Sequence, residues 1–333
     1  MQRLFVRYWF LIGLVVLIPG GFLLGTQLAP ERIEAFNNVA GKTLSRGLTA
    51  AVLFLMSITL DTRRLAAALR APRPVLWATA VNALAMPLFA WPLLPLQRIP
   101  DFSVGLMVAA AVPCTMAAAS VWTRSAGGND AISLLVTTLT NGLCFVITPF
   151  WLGLASATTV NLGAGEMVLP LMLGGFVPIL AGQLVRILRP LADFADRHKV
   201  LLGSVAQGCI LGQVLWACTQ AGPTIQSGLA AGDGWTAAGI AWGSCVLLHI
   251  AGLALAWYGG RALGLSHGDL IGATFAGSQK TLPIGVLIAT DPRLLGGLGL
   301  PFVIFPMLMY HASQLVIDTV VAARIRKPAE PAS

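Results

Sequence analysis

Runs of about twenty apolar residues follow one another along this chain with only short polar breaks between them. That pattern leaves few folds open, because about twenty apolar residues is the length a helix needs to cross a bilayer. Of the 333 residues, 56% are hydrophobic and 10% are charged. A soluble domain carries about 25% charged residues, so water is the wrong solvent for this chain. The runs predict ten transmembrane helices, at 9–28, 44–60, 74–96, 103–122, 130–154, 166–187, 200–219, 235–260, 269–290 and 297–321. The connections are short, no linker marks a domain boundary, and no stretch is left for a soluble domain. Arg3 and Arg7 precede the apolar run from Trp9 to Leu28, as in a signal peptide. That run is long for a signal sequence and Pro30 disfavours cleavage after Ala29, so it is read as the first span.

The basic residues test this layout. With the N-terminus in the cytoplasm, fifteen of the 21 Lys and Arg residues fall inside, five fall outside, and Lys280 lies within the membrane. The positive-inside rule therefore supports an even number of spans with both termini cytoplasmic, and a cell (inner) membrane location. Ten spans divide as five plus five. An odd number per half starts the second half on the opposite side, so two repeats, 1–158 and 159–333, would be inverted. The fourth span of each half is interrupted, by Val112-Pro113-Cys114-Thr115 in one and by Gly277-Ser278-Gln279-Lys280-Thr281-Leu282-Pro283 in the other. Interrupted helices at matching positions point to a transporter site.

Lys280 is the sharpest feature of that second break. A charge at bilayer depth costs several kcal/mol or more and is seldom accidental. It lies about ten residues from either end of its span, roughly 15 Å at helical rise, beyond the reach of a snorkelling side chain. Gly277 and Pro283 open the helical ladder on either side of it, and freed backbone groups at that depth must be buried in protein or line a cavity. With no acidic residue expected at the same depth, an ammonium there needs carbonyls or a substrate anion; the other alternative is a neutral lysine, since a buried lysine can lose its proton near physiological pH.

Polar stripes supply further candidates. Asn129, Ser133, Thr137 and Asn141 recur at i+4 and share one face of the fifth span, while Thr140 falls off it. Facing inward, they either offer the hard oxygens a cation requires or bond to neighbouring helices. His311, Gln314 and Asp318 form a stripe on the tenth span, with Asp318 near the cytoplasmic end, where water would solvate it. Asn82 lies five residues before Pro87 in the third span, and His249 lies in the eighth. Cys114, Cys144, Cys209, Cys218 and Cys245 all fall in apolar stretches without a CxxC pair and read as small buried hydrophobes, with neither a disulfide framework nor a zinc site implied. With no phosphate loop, HExxH or GxSxG, no enzymatic motif is read and no cofactor is expected.

The stretch from Pro113-Cys114-Thr115 through Ser120-Val121-Trp122-Thr123-Arg124 to Gly127-Gly128-Asn129-Asp130-Ala131, together with Gly277 to Pro283, resembles the bile acid:sodium symporter superfamily and its SBF-like branch. The resemblance implies an all-α polytopic membrane protein of two inverted five-helix repeats. Spans one, two, six and seven would form a panel. Spans three, four, five, eight, nine and ten would form a core in which the broken spans four and nine cross. It also implies sodium beside the crossing, at positions matching Ser120, Ser133 and Thr137, with Ala119 where a serine is expected. Phe275 stands where sodium-coupled members carry a glutamate, and Lys280 where they carry a neutral amide.

The resulting expectation is a secondary transporter of a small organic, anionic solute, working by alternating access and coupled to sodium or protons. Its substrate- or ion-binding residues would be Lys280, Gln279, Ser278, Asn82, Ser120, Thr115, Ser133, Thr137 and Asn141, with His311, Gln314 and His249 as secondary candidates. The partners expected are the solute and the lipid bilayer, with no nucleic acid. The alternatives are a membrane regulatory protein without net transport, of a calcium-homeostasis kind, then a passive channel, then an intramembrane enzyme.

Overall fold

The computed structural model describes residues 2–36, 42–60, 72–116, 118–159, 164–229, 234–290, 294–295 and 302–326. Among them every regular element is helical. Fourteen helices are numbered here in chain order: α1 Gln2–Gln27, α2 Pro30–Phe36, α3 Lys42–Ile58, α4 Pro72–Leu96, α5 Pro100–Ala111, α6 Ala118–Ser125, α7 Asp130–Thr159, α8 164–185, α9 Arg189–Arg197, α10 Lys199–Leu229, α11 Gly234–Ala262, α12 His267–Ser278, α13 Leu282–Thr290 and α14 Ile304–Ile325. Six are long and apolar enough to cross a bilayer: α4, α7, α8, α10, α11 and α14. Helices also occupy the other expected spans. The fourth and ninth are each split, into α5 with α6 and α12 with α13. The start of the tenth expected span, up to residue 301, lies outside the described residues, as do Arg63, Arg64, Arg70, Arg293 and Lys327.

Two short helices were not foreseen. α2 follows the first span and α9 follows the sixth. In α9 the sequence Arg-Pro-Leu-Ala-Asp-Phe-Ala-Asp-Arg puts Leu191 and Phe194 on an exposed face between charges, as expected of a helix lying in a membrane interface. Arg186 clamps it: its guanidinium donates to Ile58 O at 2.7 Å and to both Asp196 oxygens at 2.8 and 3.0 Å.

α1 packs along α10, and α3 packs on α8 and α10. The approach of α1 to α10 is close enough to need glycine, since a Cβ on Gly222 would sit 2.6 Å from the Gly25 Cα. α12 packs on α11, α4, α7 and α6, while α14 packs on α11 and α5. This second group carries the buried polar residues of the two breaks, and the first group closes over one side of it.

α4 shows how sequence builds the site. Val81–Ala85 form a π-helical turn, so the Met86 N–H donates to Val81 O, not to Asn82 O. The next donor would be residue 87, but Pro87 has no N–H. The Asn82 carbonyl is thereby freed inside the membrane and needs a partner. The Trp151 indole is buried here and donates to Ala83 O at 2.8 Å.

Candidate functional site

The two breaks meet. The Thr281 N–H donates to Pro113 O at 2.9 Å, and the Lys280 ammonium reaches Val112 O at 2.9 Å. Its other acceptors are Asn82 O at 2.7 Å and Asn82 Oδ1 at 3.2 Å. An ammonium has three hydrogens, and each has an oxygen. Lys280 is fully buried, and the oxygens around it do for this tethered cation what they would do for a bound one. Carbonyls, not a carboxylate, hold it, one of the two arrangements expected from the sequence.

The breaks expose ten carbonyls, five consecutive ones in each, and each has a partner. In the first break Ala111 O accepts from Thr148, Val112 O from Lys280, Pro113 O from Thr281, Cys114 O from Asn141 and Thr115 O from Thr137. In the second, Ala276 O, Gly277 O and Gln279 O share the Asn82 amide, Ser278 O accepts from Tyr310, and Lys280 O accepts from Gln314. A buried carbonyl without a partner costs about 1–3 kcal/mol. Much of the polar constellation is therefore explained by the open backbone. Asn141, Thr137, Asn82 and Gln314 all hold main chain of the breaks.

The remaining expected residues are placed as follows. Ser133 meets Thr123 Oγ1 at 2.6 Å and donates to Gly272 O at 3.2 Å. Ser120 is buried and its Oγ has no partner, as are Asn141 Oδ1 and Gln279 Oε1. The Ser278 side chain turns back to Thr274 O. Thr115 lines a cavity beside the break. His249 and His311 are both buried. Asn129 stands apart, bonded to Asp269 at the start of α12. Phe275 is fully buried among Ala126, Leu253, Ile271 and Ala322, so the position of the expected glutamate is an apolar one.

Three expectations need correction. Asp318 is not solvated but fully buried. It accepts from Gln279 Nε2 at 2.6 Å and faces His249 Nε2 at 2.9 Å, so an acidic residue does lie in the core behind the second break. Burial there depends on α11 covering α14, which one helix's sequence does not report. Thr140 is not outside the site, because its Oγ1 accepts the Cys114 N–H at 3.2 Å. The irregular chain of the first break wraps more of α7 than one helical stripe. Tyr310, which no pattern in the sequence singles out, is fully buried and holds Ser278 O at 2.6 Å.

Beside the crossing lies a cavity of about 260 Å³. Phe10, Met56, Gln207 and Ile210 from α1, α3 and α10 form one wall, and Thr115, Trp122, Pro283 and His311 form the other. The first turns of both half-helices, at Ala118 and Leu282, open onto it. None of the described residues lining it is acidic or basic apart from His311, and hydrogen bonds fix that ring's state. Gln314 Oε1 accepts from Lys280 N and its Nε2 donates to Lys280 O, so Nε2 also donates to His311 Nδ1 at 2.9 Å. The His311 ring is then neutral, with its hydrogen on Nε2. The cavity thus has a mainly apolar lining, N–H and O–H donors, and the positive ends of two helices.

Comparison with known proteins matches the chain to a family over nearly its full length. A profile described as the SBF-like CPA transporter family (DUF4137) covers residues 8–327. The chain belongs to this family. Its members are membrane transporters, not enzymes. An uncharacterized protein of Pseudomonas aeruginosa is 31% identical over 240 residues, 70% of this chain and 68% of that protein. The probable sodium/metabolite cotransporter BASS4, chloroplastic, of Arabidopsis thaliana is 26% identical over 82% of this chain and 64% of its own length, so this chain spans less than two thirds of that relative. Sodium/bile acid cotransporter 7-A of Xenopus laevis is 23% identical over 96% of this chain and 92% of its own. Among the described residues no cluster of three or more His, Cys, Asp or Glu could hold a metal ion.

Proposed function

We propose that this chain is a secondary transporter of a small organic, anionic solute, working by alternating access and coupled to an ion, with both termini on the cytoplasmic side of the cell inner membrane. In this reading its ten spans form two inverted repeats, 1–158 and 159–333. The group of α1, α3, α8 and α10 is the panel, and the remaining long helices are the core that moves against it. The observation that carries the reading is the cavity. It lies where the two breaks face the panel, with two helix N-termini and His311, Thr115 and Thr281 in its lining. A negatively charged group is favoured at helix N-termini, and the apolar lining suits an organic body attached to it.

Lys280 supports the anionic choice from behind the cavity. All of its hydrogens are spent on Asn82 and Val112 oxygens, so it acts through its field and through the shape it gives the crossing. Ser120, Ser133 and Thr137 remain the proposed oxygens for sodium, with Asn82, Ser278, Gln279, Thr115 and Asn141 shaping the crossing.

The test is uptake of labelled organic carboxylates into proteoliposomes, with sodium and pH gradients imposed separately. Saturable uptake that accelerates counterflow is expected. His311→Leu should raise the half-saturating concentration about tenfold by removing one hydrogen bond to a charged group. No flux of any carboxylate under either gradient, by protein shown to be folded, would reject the reading.

A further inference from the structure

Behind the second break, on the side away from the cavity, His249, Asp318 and Tyr310 form a buried polar group that the transport reading above does not use. His249 and Asp318 are each 0% exposed. Their hydrogen bonds permit a count of protons. The Tyr310 hydroxyl has one hydrogen, and a 2.6 Å contact with Ser278 O requires it to lie there. His249 Nδ1, 3.1 Å from the same hydroxyl, therefore faces an oxygen lone pair and must itself carry a hydrogen. The opposite ring nitrogen meets Asp318 Oδ1 at 2.9 Å, and that contact needs a second proton, held by the ring or by the acid. Gln279 supplies the Asp318 Oδ2 contact with its own amide hydrogen.

We propose that the His249–Asp318 pair is a proton-binding site, and that Tyr310 transmits its occupancy to the unwound segment at Ser278. The loaded pair has no net charge. When the proton leaves, two ring nitrogens are left with one hydrogen. If it stays on Nε2, facing the carboxylate, bare Nδ1 confronts the tyrosine oxygen, and the hydroxyl relieves this by turning its hydrogen from Ser278 O to Nδ1. If it stays on Nδ1, the Nε2 lone pair faces a bare carboxylate. The first arrangement is the better bonded, and it takes the partner away from a carbonyl of the break. The proton itself comes from water and returns to water, so no other reactant is needed. Proton loss thus loosens the crossing, and proton uptake restores it.

The titratable groups around the pair come from every neighbouring element. They are Cys245 on α11, Cys114 in the first break, Lys280 in the second, and Tyr310 and His311 on α14. Lys280 is the cation among them and stays bonded to its three oxygens in either state. The core is therefore one charge more positive when the pair is loaded. This inference deepens the transporter reading by naming a coupled ion, and it rests on that reading only for what the proton would drive.

Proteoliposomes on a solid-supported membrane, given a step in proton concentration and no solute, test it directly. A transient charge displacement is expected, lost in Asp318→Asn and in His249→Gln but retained in Tyr310→Phe, which keeps the pair and removes its link to Ser278. An undiminished transient in Asp318→Asn, or its loss in Tyr310→Phe, would overturn the proposal. Should a variant not fold, infrared difference spectra of the unmodified protein across the same pH step serve instead. Carboxyl and imidazole bands must change together, and absence of that paired change is equally fatal. A transient without flux of any solute rejects the transporter reading alone, whereas flux indifferent to pH, without a transient, rejects the proton site alone.

Discussion

Lys280 and the threonines of α7 are where single atoms decide most. Replacing Lys280 by methionine keeps most of the length and removes three donors, leaving the Asn82 and Val112 carbonyls bare. Each bare carbonyl costs about 1–3 kcal/mol, so Lys280→Met should lower the thermal midpoint in detergent by many degrees and abolish flux. Lys280→Arg should not restore either, because a planar guanidinium does not fit a site shaped for a compact ammonium. An unchanged midpoint in Lys280→Met would mean the cage is not structural. Thr137→Val and Thr140→Val should each cost about 1–3 kcal/mol, since one strands Thr115 O and the other the Cys114 N–H. A neutral Thr140→Val would restore the single-stripe view of α7. The importance of Lys280 was legible because a charge beside glycine and proline has no cheap place in a membrane. Asn82 was legible through its distance from Pro87. Asp318 was not: its depth is set by His249 on another helix, and distance along α14 alone put it in water.

At the scale of helices, the packing of α1 on α10 and the docking of α9 make separate demands. Gly25 and Gly222 lie against each other, and Gly25→Val would force the helices apart, as overpacking does at a cost of about 1–3 kcal/mol. A lower thermal midpoint should show it. The Arg186–Asp196 clamp makes a pH prediction. The hydrogen bonds from Arg186 hold the Asp196 carboxyl below the usual carboxylate range. A depressed value means the stabilisation is present above the unfolded value of about 3.9 and is lost as pH falls through the folded one. Asp196→Asn should therefore be less stable than the parent at neutral pH and equal to it in strong acid, by thermal unfolding across pH. A gap that persists in acid would assign the stabilisation elsewhere. The long helices were legible from their apolar length, and both breaks from proline and glycine. α2 and α9 were not, because a short polar helix has neither the length nor the composition that marks a span.

For the molecule as a whole, the cavity opens toward one end. Phe10 lies near the start of α1, Met56 near the end of α3, Gln207 near the start of α10, and Ser125 ends α6. In the proposed orientation that end is cytoplasmic. In a background without the native cysteines, Ser125→Cys should react with an impermeant maleimide only from the cytoplasmic side, and Gln27→Cys only from the other. Labelling of both from one side would refute the proposed span layout of the first half. The charge asymmetry made the orientation readable as an expectation, while the cavity's position depends on which helices lie face to face, which hydropathy does not encode.

The ten satisfied carbonyls of the two breaks carry a consequence for the proposed cycle. Irregular backbone that lines a water-filled cavity leans on solvent, and it would lose its partners each time one vestibule dries and the other floods. Here the ligation is built in, by side chains that travel with the backbone they serve. The crossing can therefore pass from a wet face to a dry one as a finished object, indifferent to where the water stands. Amide exchange at Cys114, Lys280 and Thr281 should then be equally slow whichever side of the protein is open.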